Sequence, residues 1–192
     1  MFDPVEPGTY VIEYCYTDEN GCMACATTEL VVNPLPDVTI EAYEPVCQYS
    51  GEFDLYGGLP EGGTYYVDGV EATVFDPMFA GTYVIEYCYE NEFGCEACAS
   101  TELVVNPTPE VMCPEDMAVC ANEEPFELTG ATPEGGEYTG EGVVDGMFDP
   151  ALTGPGMFEI TYTYENEFGC SNFCMFMIEV YALPYLDVSL SA

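Results

Sequence analysis

Apolar and polar positions alternate with a period of two along most of the chain. In "GTYVIEYCYENEFGCEACASTELVVNP" (81–107), Tyr83, Ile85, Tyr87 and Tyr89 fall on one face of an extended segment, with Val84, Glu86 and Cys88 on the other. The spacing predicts a strand, a three-residue turn at Glu92-Phe93-Gly94, and a second strand returning beside the first. Glycine in the turn supplies the left-handed conformation that such a hairpin needs. Gly57-Gly58, Gly62-Gly63, Asp68-Gly69, Gly135-Gly136 and Asp145-Gly146 punctuate further short strands. No window carries a helical stripe. The pattern predicts an all-β chain with two packed sheets per domain.

The same pattern recurs at a fixed interval. Residues 8–34 read "GTYVIEYCYTDENGCMACATTELVVNP", 73 positions ahead of the segment above, and 156–180 read "GMFEITYTYENEFGCSNFCMFMIEV". Phe-Asp-Pro marks the same phase at Phe2, Phe75 and Phe148. "PVCQYSGEFDLYGGLPEGGTYYVDGV" (45–70) matches "AVCANEEPFELTGATPEGGEYTGEGV" (118–143). A period of 73–75 residues suits a small β-sandwich and is too long for one solenoid rung. The phase places the back half of one repeat at 1–35 and whole repeats at 36–108 and 109–183. It places the first strand of another repeat at 184–192. Residues 1–35 by themselves would leave one sheet face bare, which calls for more chain or a neighbouring subunit. Pro34-Leu35-Pro36, Pro107-Thr108-Pro109 and Leu183-Pro184 form the joints. Proline fixes φ and biases its predecessor toward extended backbone, so such joints act as semi-rigid spacers.

The 11 cysteines are too many for a reducing compartment without a metal. With the turn at 92–94, Cys88 faces Cys98 across the ladder, and Cys15 faces Cys25 in the first copy. Cys95 has the parity of the core tyrosines and is expected to join Cys47; Cys120 and Cys170 repeat that pair. Thr163 and Phe173 replace the surface pair in the third copy. Cys113 and Cys174 both take core positions there and are expected to join. Cys22 is left unpaired. Each core bridge closes nearly 50 residues, worth roughly 4 kcal/mol on a chain-entropy model. Zinc and redox chemistry are the rival readings of Cys95-Glu-Ala-Cys98. Residues i and i+3 of a strand point to opposite faces, and no His, Lys or helix N-terminus accompanies the thiols, so structural disulfides are the expectation.

Composition then narrows the function. The chain has 36 acidic residues and no Lys, Arg or His. No cation exists to contact phosphate, which argues against a nucleic-acid partner. Ser–His and Cys–His catalysis are excluded with the histidine. Carboxylate pairs of glycosidase type are not singled out among so many acids, so no catalytic residues are expected. The turn clusters Asp18-Glu19-Asn20, Glu90-Asn91-Glu92 and Glu165-Asn166-Glu167 offer oxygen ligands, as do Asp37 and Glu110. Calcium is the cation that Asp18, Asn20, Glu90, Glu92, Glu165 and Glu167 would take, although none of these clusters has EF-hand spacing. A solvated turn is the plainer reading, and no cofactor is required. No stretch reaches the roughly 18 apolar residues of a membrane span.

Across 119–171, Cys120, Gly135-Gly136, Tyr138, Gly140, Gly142, Phe148-Asp149-Pro150, Ile160-Thr161-Tyr162-Thr163-Tyr164 and Gly169-Cys170 resemble the Ig-like, PKD-like tandem repeats of very large Bacteroidota surface proteins. That group includes gliding-motility adhesins. The resemblance implies extracellular or cell-surface β-sandwiches in a long array. The surface cysteine pairs and the missing basic residues depart from it. The expected function is a structural fibre or stalk segment of disulfide-stapled Ig-like repeats, partnered by copies of itself or by continuing chain. The rival is an adhesin that grips glycans or partner cells through outward tyrosines, such as one of Tyr65 and Tyr66, and acidic turns with calcium. A third reading has incomplete subunits completing one another by strand addition.

Overall fold

The computed structural model describes residues 6–186. Most of the strand expected over 184–192, and the first Phe-Asp-Pro, lie outside the described residues. In chain order the strands are β1 (Gly8–Thr17), β2 (Met23–Val32), β3 (Thr39–Ile40), β4 (Val46–Cys47), β5 (Phe53–Asp54) and β6 (Gly58–Leu59). There follow β7 (Thr64–Val67), β8 (Val70–Glu71), β9 (Val74–Phe75), β10 (Gly81–Glu90), β11 (Glu96–Asn106) and β12 (Met117–Cys120). The last are β13 (Phe126–Glu127), β14 (Glu137–Gly140), β15 (Val143–Val144), β16 (Met147–Phe148), β17 (Gly156–Glu165) and β18 (Ser171–Tyr181). A four-residue helix, α1 (Pro150–Thr153), has Asp149 at its N-cap, whose side chain accepts the Ala151 N–H at 2.9 Å. The fold is all-β.

The chain divides into two compact units. One takes residues 1–45, 51–76 and 82–104; the other takes 46–50, 77–81 and 105–192.

In the first unit, β1 and β2 form an antiparallel ribbon of ten residue pairs with Cys15 opposite Cys25. β10 pairs with β7, and β7 with β8; β3 pairs with β6, and β5 with β9. The period-two pattern decides what is buried. Ile85 is 0% exposed, Tyr87 2% and Leu103 0%, while Val84, next to Ile85 on the opposite face, is 46% exposed. Tyr87 packs on Tyr65 with ring centroids 4.6 Å apart, and Tyr83 on Phe75 at 4.8 Å. The Tyr87 hydroxyl accepts the Gly63 N–H at 2.6 Å and donates to the Pro60 carbonyl.

The second unit contains a two-sheet sandwich. One sheet has the order β12-β18-β17-β14 and the other β13-β16-β15. In Ig nomenclature these are the G, F and C strands facing B, E and D, with β12 added in parallel to the last strand. This is an Ig-like sandwich. Leu128, Phe148, Ile160, Phe176, Ile178 and Val180 fill the space between the sheets, each no more than 4% exposed. The tyrosine motif recurs: Tyr162 packs on Tyr138 at 4.6 Å, accepts the Gly136 N–H at 2.7 Å and donates to the Pro133 carbonyl. A Cβ at Gly136 would collide with the Thr163 carbonyl oxygen and the Tyr162 ring, so only glycine admits this approach.

Candidate functional site

The site is the set of sulfurs around the proline joint at 107–109. It is assembled from the end of one long hairpin and the tip of another, all within the second unit. Val46 and Cys47 run parallel to Val105 and Asn106, with Cys47 opposite Asn106. The Gln48 N–H continues the ladder to the Asn106 carbonyl at 2.8 Å. Gln48 Nε2 donates to the Met78 carbonyl at 2.8 Å, and the Tyr49 N–H to the Pro77 carbonyl at 2.9 Å. Thr108 Oγ1 donates to the Gln48 carbonyl at 2.6 Å. The joint is thereby fastened to the segment carrying Cys47.

The β17–β18 turn holds the other side. Asn166 Oδ1 accepts the Phe168 and Cys170 N–H groups, both at 3.0 Å, which closes the turn. Its Nδ2 is then free to donate to the Pro107 carbonyl at 2.8 Å, and Asn172 Nδ2 donates to the Pro109 carbonyl at 2.9 Å. Prolines offer only acceptors, so amide side chains are the natural partners for this joint. Cys170, 1% exposed, meets Cys47 in a disulfide with Cα atoms 5.6 Å apart, spanning 123 residues of sequence.

This pairing corrects the two within-repeat core bridges, Cys47–Cys95 and Cys120–Cys170. The reason is the length of the hairpins. Cys120 lies opposite Tyr181 at the far end of β18, whereas Cys170 sits at its turn, 11 residues away. At about 3.3 Å per residue that is roughly 36 Å along the strand, far beyond the Cα spacing of about 7 Å that a disulfide tolerates. Parity along the strand put these cysteines on a common face and said nothing of the distance along it.

Cys15–Cys25 and Cys88–Cys98 bridge directly opposed positions, with Cα atoms 4.0 and 4.1 Å apart, and Cys113 joins Cys174 at 5.7 Å. Cys22, Cys95 and Cys120 are free thiols. Sequence reasoning missed Asn166, Asn172 and Thr108 as the residues that set the joint. For Asn166 the recurrence of Asn91 at the same phase was the available signal; Asn172 and Thr108 have none, since Ala97 and Leu35 stand at the equivalent positions.

Of the turn residues expected to take calcium, Asp18 has local work. Asp18 Oδ1 accepts the Asn20 and Cys22 N–H groups at 3.0 and 2.8 Å, and the Cys22 bond foremost holds its carboxyl below the usual value. Among the described residues, acidic and cysteine groups within reach of one ion occur at Glu13–Cys15–Cys25 and Glu86–Cys88–Cys98. In both, the two sulfurs are already bonded to each other. Asp18, Glu90, Glu92, Glu165 and Glu167 belong to neither group. Tyr65 and Tyr66 are both partly buried, and Tyr65 accepts the Gly58 N–H at 2.8 Å. Among the described residues no helix is long and apolar enough to cross a membrane.

No protein-family model matches the chain, and no curated protein matches it. Several solved structures are similar at low identity. A Ca2+-stabilised adhesin that helps an Antarctic bacterium bind ice is 12% identical with a TM-score of 0.38, over 91% of this chain and 57% of that one. Titin domains I67–I69 are 16% identical with a TM-score of 0.37, over 92% and 75%. The insect immune protein hemolin is 14% identical with a TM-score of 0.35, over 89% and 56%.

Proposed function

We propose that the chain is a load-bearing segment of an extracellular fibre or stalk. On this reading it is built of Ig-like repeats at 36–108 and 109–183, flanked by parts of others, and has no catalytic role. The observation that carries this is the Cys47–Cys170 bridge across the proline joint, fastened by Asn166 and Asn172. A bridge at that place transmits force between segments of successive repeats without passing through the 122 residues between the sulfurs. Four disulfides among the described residues suit an oxidising compartment, hence the secreted or surface location. The resemblance to surface repeats of Bacteroidota agrees with it. Stretching single fibres with and without reductant tests the reading, and identical extension in both would refute it.

A glycan- or cell-binding adhesin is the second reading. It is favoured by Phe93 and Phe168, 55% and 53% exposed at equivalent hairpin tips beside the acidic turns. Glycan-array binding that needs calcium and is lost in Phe93→Ala/Phe168→Ala would support it. Silence with and without calcium would remove it.

A further inference from the structure

The Cys47–Cys170 geometry exists in two further half-copies, and each carries a free thiol. On one side, the β10–β11 turn repeats the β17–β18 turn. Asn91 Oδ1 accepts the Phe93 and Cys95 N–H groups at 3.0 Å, and its Nδ2 donates to the Pro34 carbonyl at 3.0 Å. This is what Asn166 does for Cys170 and Pro107. Cys95 is thus poised like Cys170, beside a proline joint. What it lacks is a cysteine on a strand running parallel to the end of β2, as Cys47 does at Asn106.

On the other side, Cys120 repeats Cys47. It lies opposite Tyr181 on the neighbouring parallel strand, and the Ala121 N–H donates to the Tyr181 carbonyl at 3.0 Å, just as Gln48 does to Asn106. Here the missing piece is a hairpin tip bearing the equivalent of Cys170.

An independent feature marks the same neighbour. Ile12, Tyr14 and Leu30 are 37%, 70% and 41% exposed. Their equivalents Ile85, Tyr87 and Leu103, and Ile160, Tyr162 and Ile178, are at most 2% exposed. In the second unit this face is covered by Leu128 and Phe148, from the front half of a repeat. The β1–β2 face has the residues of a sandwich core and lacks that cover.

We propose that repeats of this kind are joined by a staggered disulfide ladder, in which the early-strand cysteine of each repeat bonds the hairpin-tip cysteine of the next. Cys95 takes the Cys47-equivalent of a repeat whose front half covers Ile12, Tyr14 and Leu30. Cys120 takes the Cys170-equivalent of the repeat on the opposite side. The occupant on both sides is continuing chain of the same type. Each bond forms when two thiols surrender two protons and two electrons, by exchange, to a small disulfide such as oxidised glutathione, which leaves as two thiols. The ladder rests on the repeat-array reading, but the two fail separately: load tests probe Cys47–Cys170, which stands whatever becomes of Cys95 and Cys120.

The test is a non-reducing peptide map of the native protein, alkylated before digestion with a glutamate-specific protease. Cys95 and Cys120 should each appear in a cross-linked peptide with another repeat. Alkylated free thiol at either position would overturn the ladder, as would a Cys47–Cys95 link. A Cys120–Cys22 link between two separate copies would overturn the assignment to continuing chain. A second arm places an extra copy of residues 36–73 directly before Met1, in register with the period, adding one cysteine. On refolding with reduced and oxidised glutathione, the added cysteine should bond Cys95, leaving Cys22 and Cys120 as the alkylated thiols. Its bonding to Cys22, or remaining free, would refute the proposal.

Discussion

Reducing the Cys47–Cys170 bridge should lengthen the stretched chain by a distance that the sequence separations fix. Consider the chain pulled from its two ends, with Cys22, Cys95 and Cys120 replaced by Ser to prevent exchange. With the bridges intact, force passes from residue 47 straight to 170 and, near the start, from 15 to 25. Full unfolding then leaves 123 and 10 residues of separation unextended. At roughly 3.4 Å per residue, reduction releases about 450 Å of contour. Cys170→Ser gives an intermediate value because Cys113–Cys174 remains. Force then runs from 47 to 113, skipping the residues between 88 and 98 through their own bridge, before crossing to 174, so the oxidised variant is longer than its parent by about 180 Å. Optical-trap or atomic-force extension curves measure both lengths. If oxidised Cys170→Ser and its parent reached the same length, load would not pass through that bridge. Within-repeat bridges would give a third signature in the chain that keeps Cys22, Cys95 and Cys120: the Cys95–Cys113 segment would stay in line and the oxidised length would be greater by about 50 Å.

Tyr162→Phe keeps the ring against Tyr138 and deletes the hydroxyl, leaving the Gly136 N–H and Pro133 carbonyl without partners; urea unfolding followed by circular dichroism should show a loss of about 1–3 kcal/mol. Gly136→Ala should cost more than Gly135→Ser, since a Cβ at 136 collides with the Thr163 carbonyl and the Tyr162 ring, whereas one at 135 meets no atom and adds only the backbone strain of a φ of 96°; the order of the two midpoints checks the close approach. Asp18 is held below its ordinary value of 3.8, so its hold on the β1–β2 turn is complete above that pH and lost as pH falls through the depressed value. The Asn20 and Cys22 amide resonances should report the loosening, and Asp18→Ala should abolish it.

The sandwich was readable because its two signals are local. The alternation at 81–90 decides which face of β10 is buried, and Gly94 and Asn91 decide where the chain turns. The opposed pairs Cys15–Cys25 and Cys88–Cys98 follow from that turn, since hairpin register is fixed by its loop. Cys47–Cys170 depends on different information. It requires the parallel register of Cys47 on Asn106 and the path of a proline joint, neither of which leaves a periodic trace. The hydrogen bonds of Asn166 and Asn172 to Pro107 and Pro109 are likewise set by packing between segments far apart in sequence. The exposed β1–β2 face was legible from its residue types, because Ile12, Tyr14 and Leu30 repeat the residue types of a buried set.

The length of the hairpin explains why the core cysteines join across repeats. Each strand of the long ribbons has ten or eleven residues, which separates the tip from the base by roughly 36 Å. The early strand pairs with the base, so its cysteine is always at the wrong end to meet the tip of its own ribbon. The next repeat's tip, however, folds back onto the proline joint at that base and brings its cysteine within bonding distance. The spacing of the free thiols then gives the ladder a mechanical consequence. Cys95 and Cys120 stand 25 residues apart, as do Cys22 and Cys47. In a laddered array, the shortest covalent path through two repeats is therefore one disulfide and 25 residues, about 85 Å when fully extended. Unbridged, two repeats would extend to about 500 Å. An oxidised array with every repeat unfolded should thus stop lengthening at about a sixth of its reduced contour, and an oxidised array reaching the full reduced contour would refute the ladder.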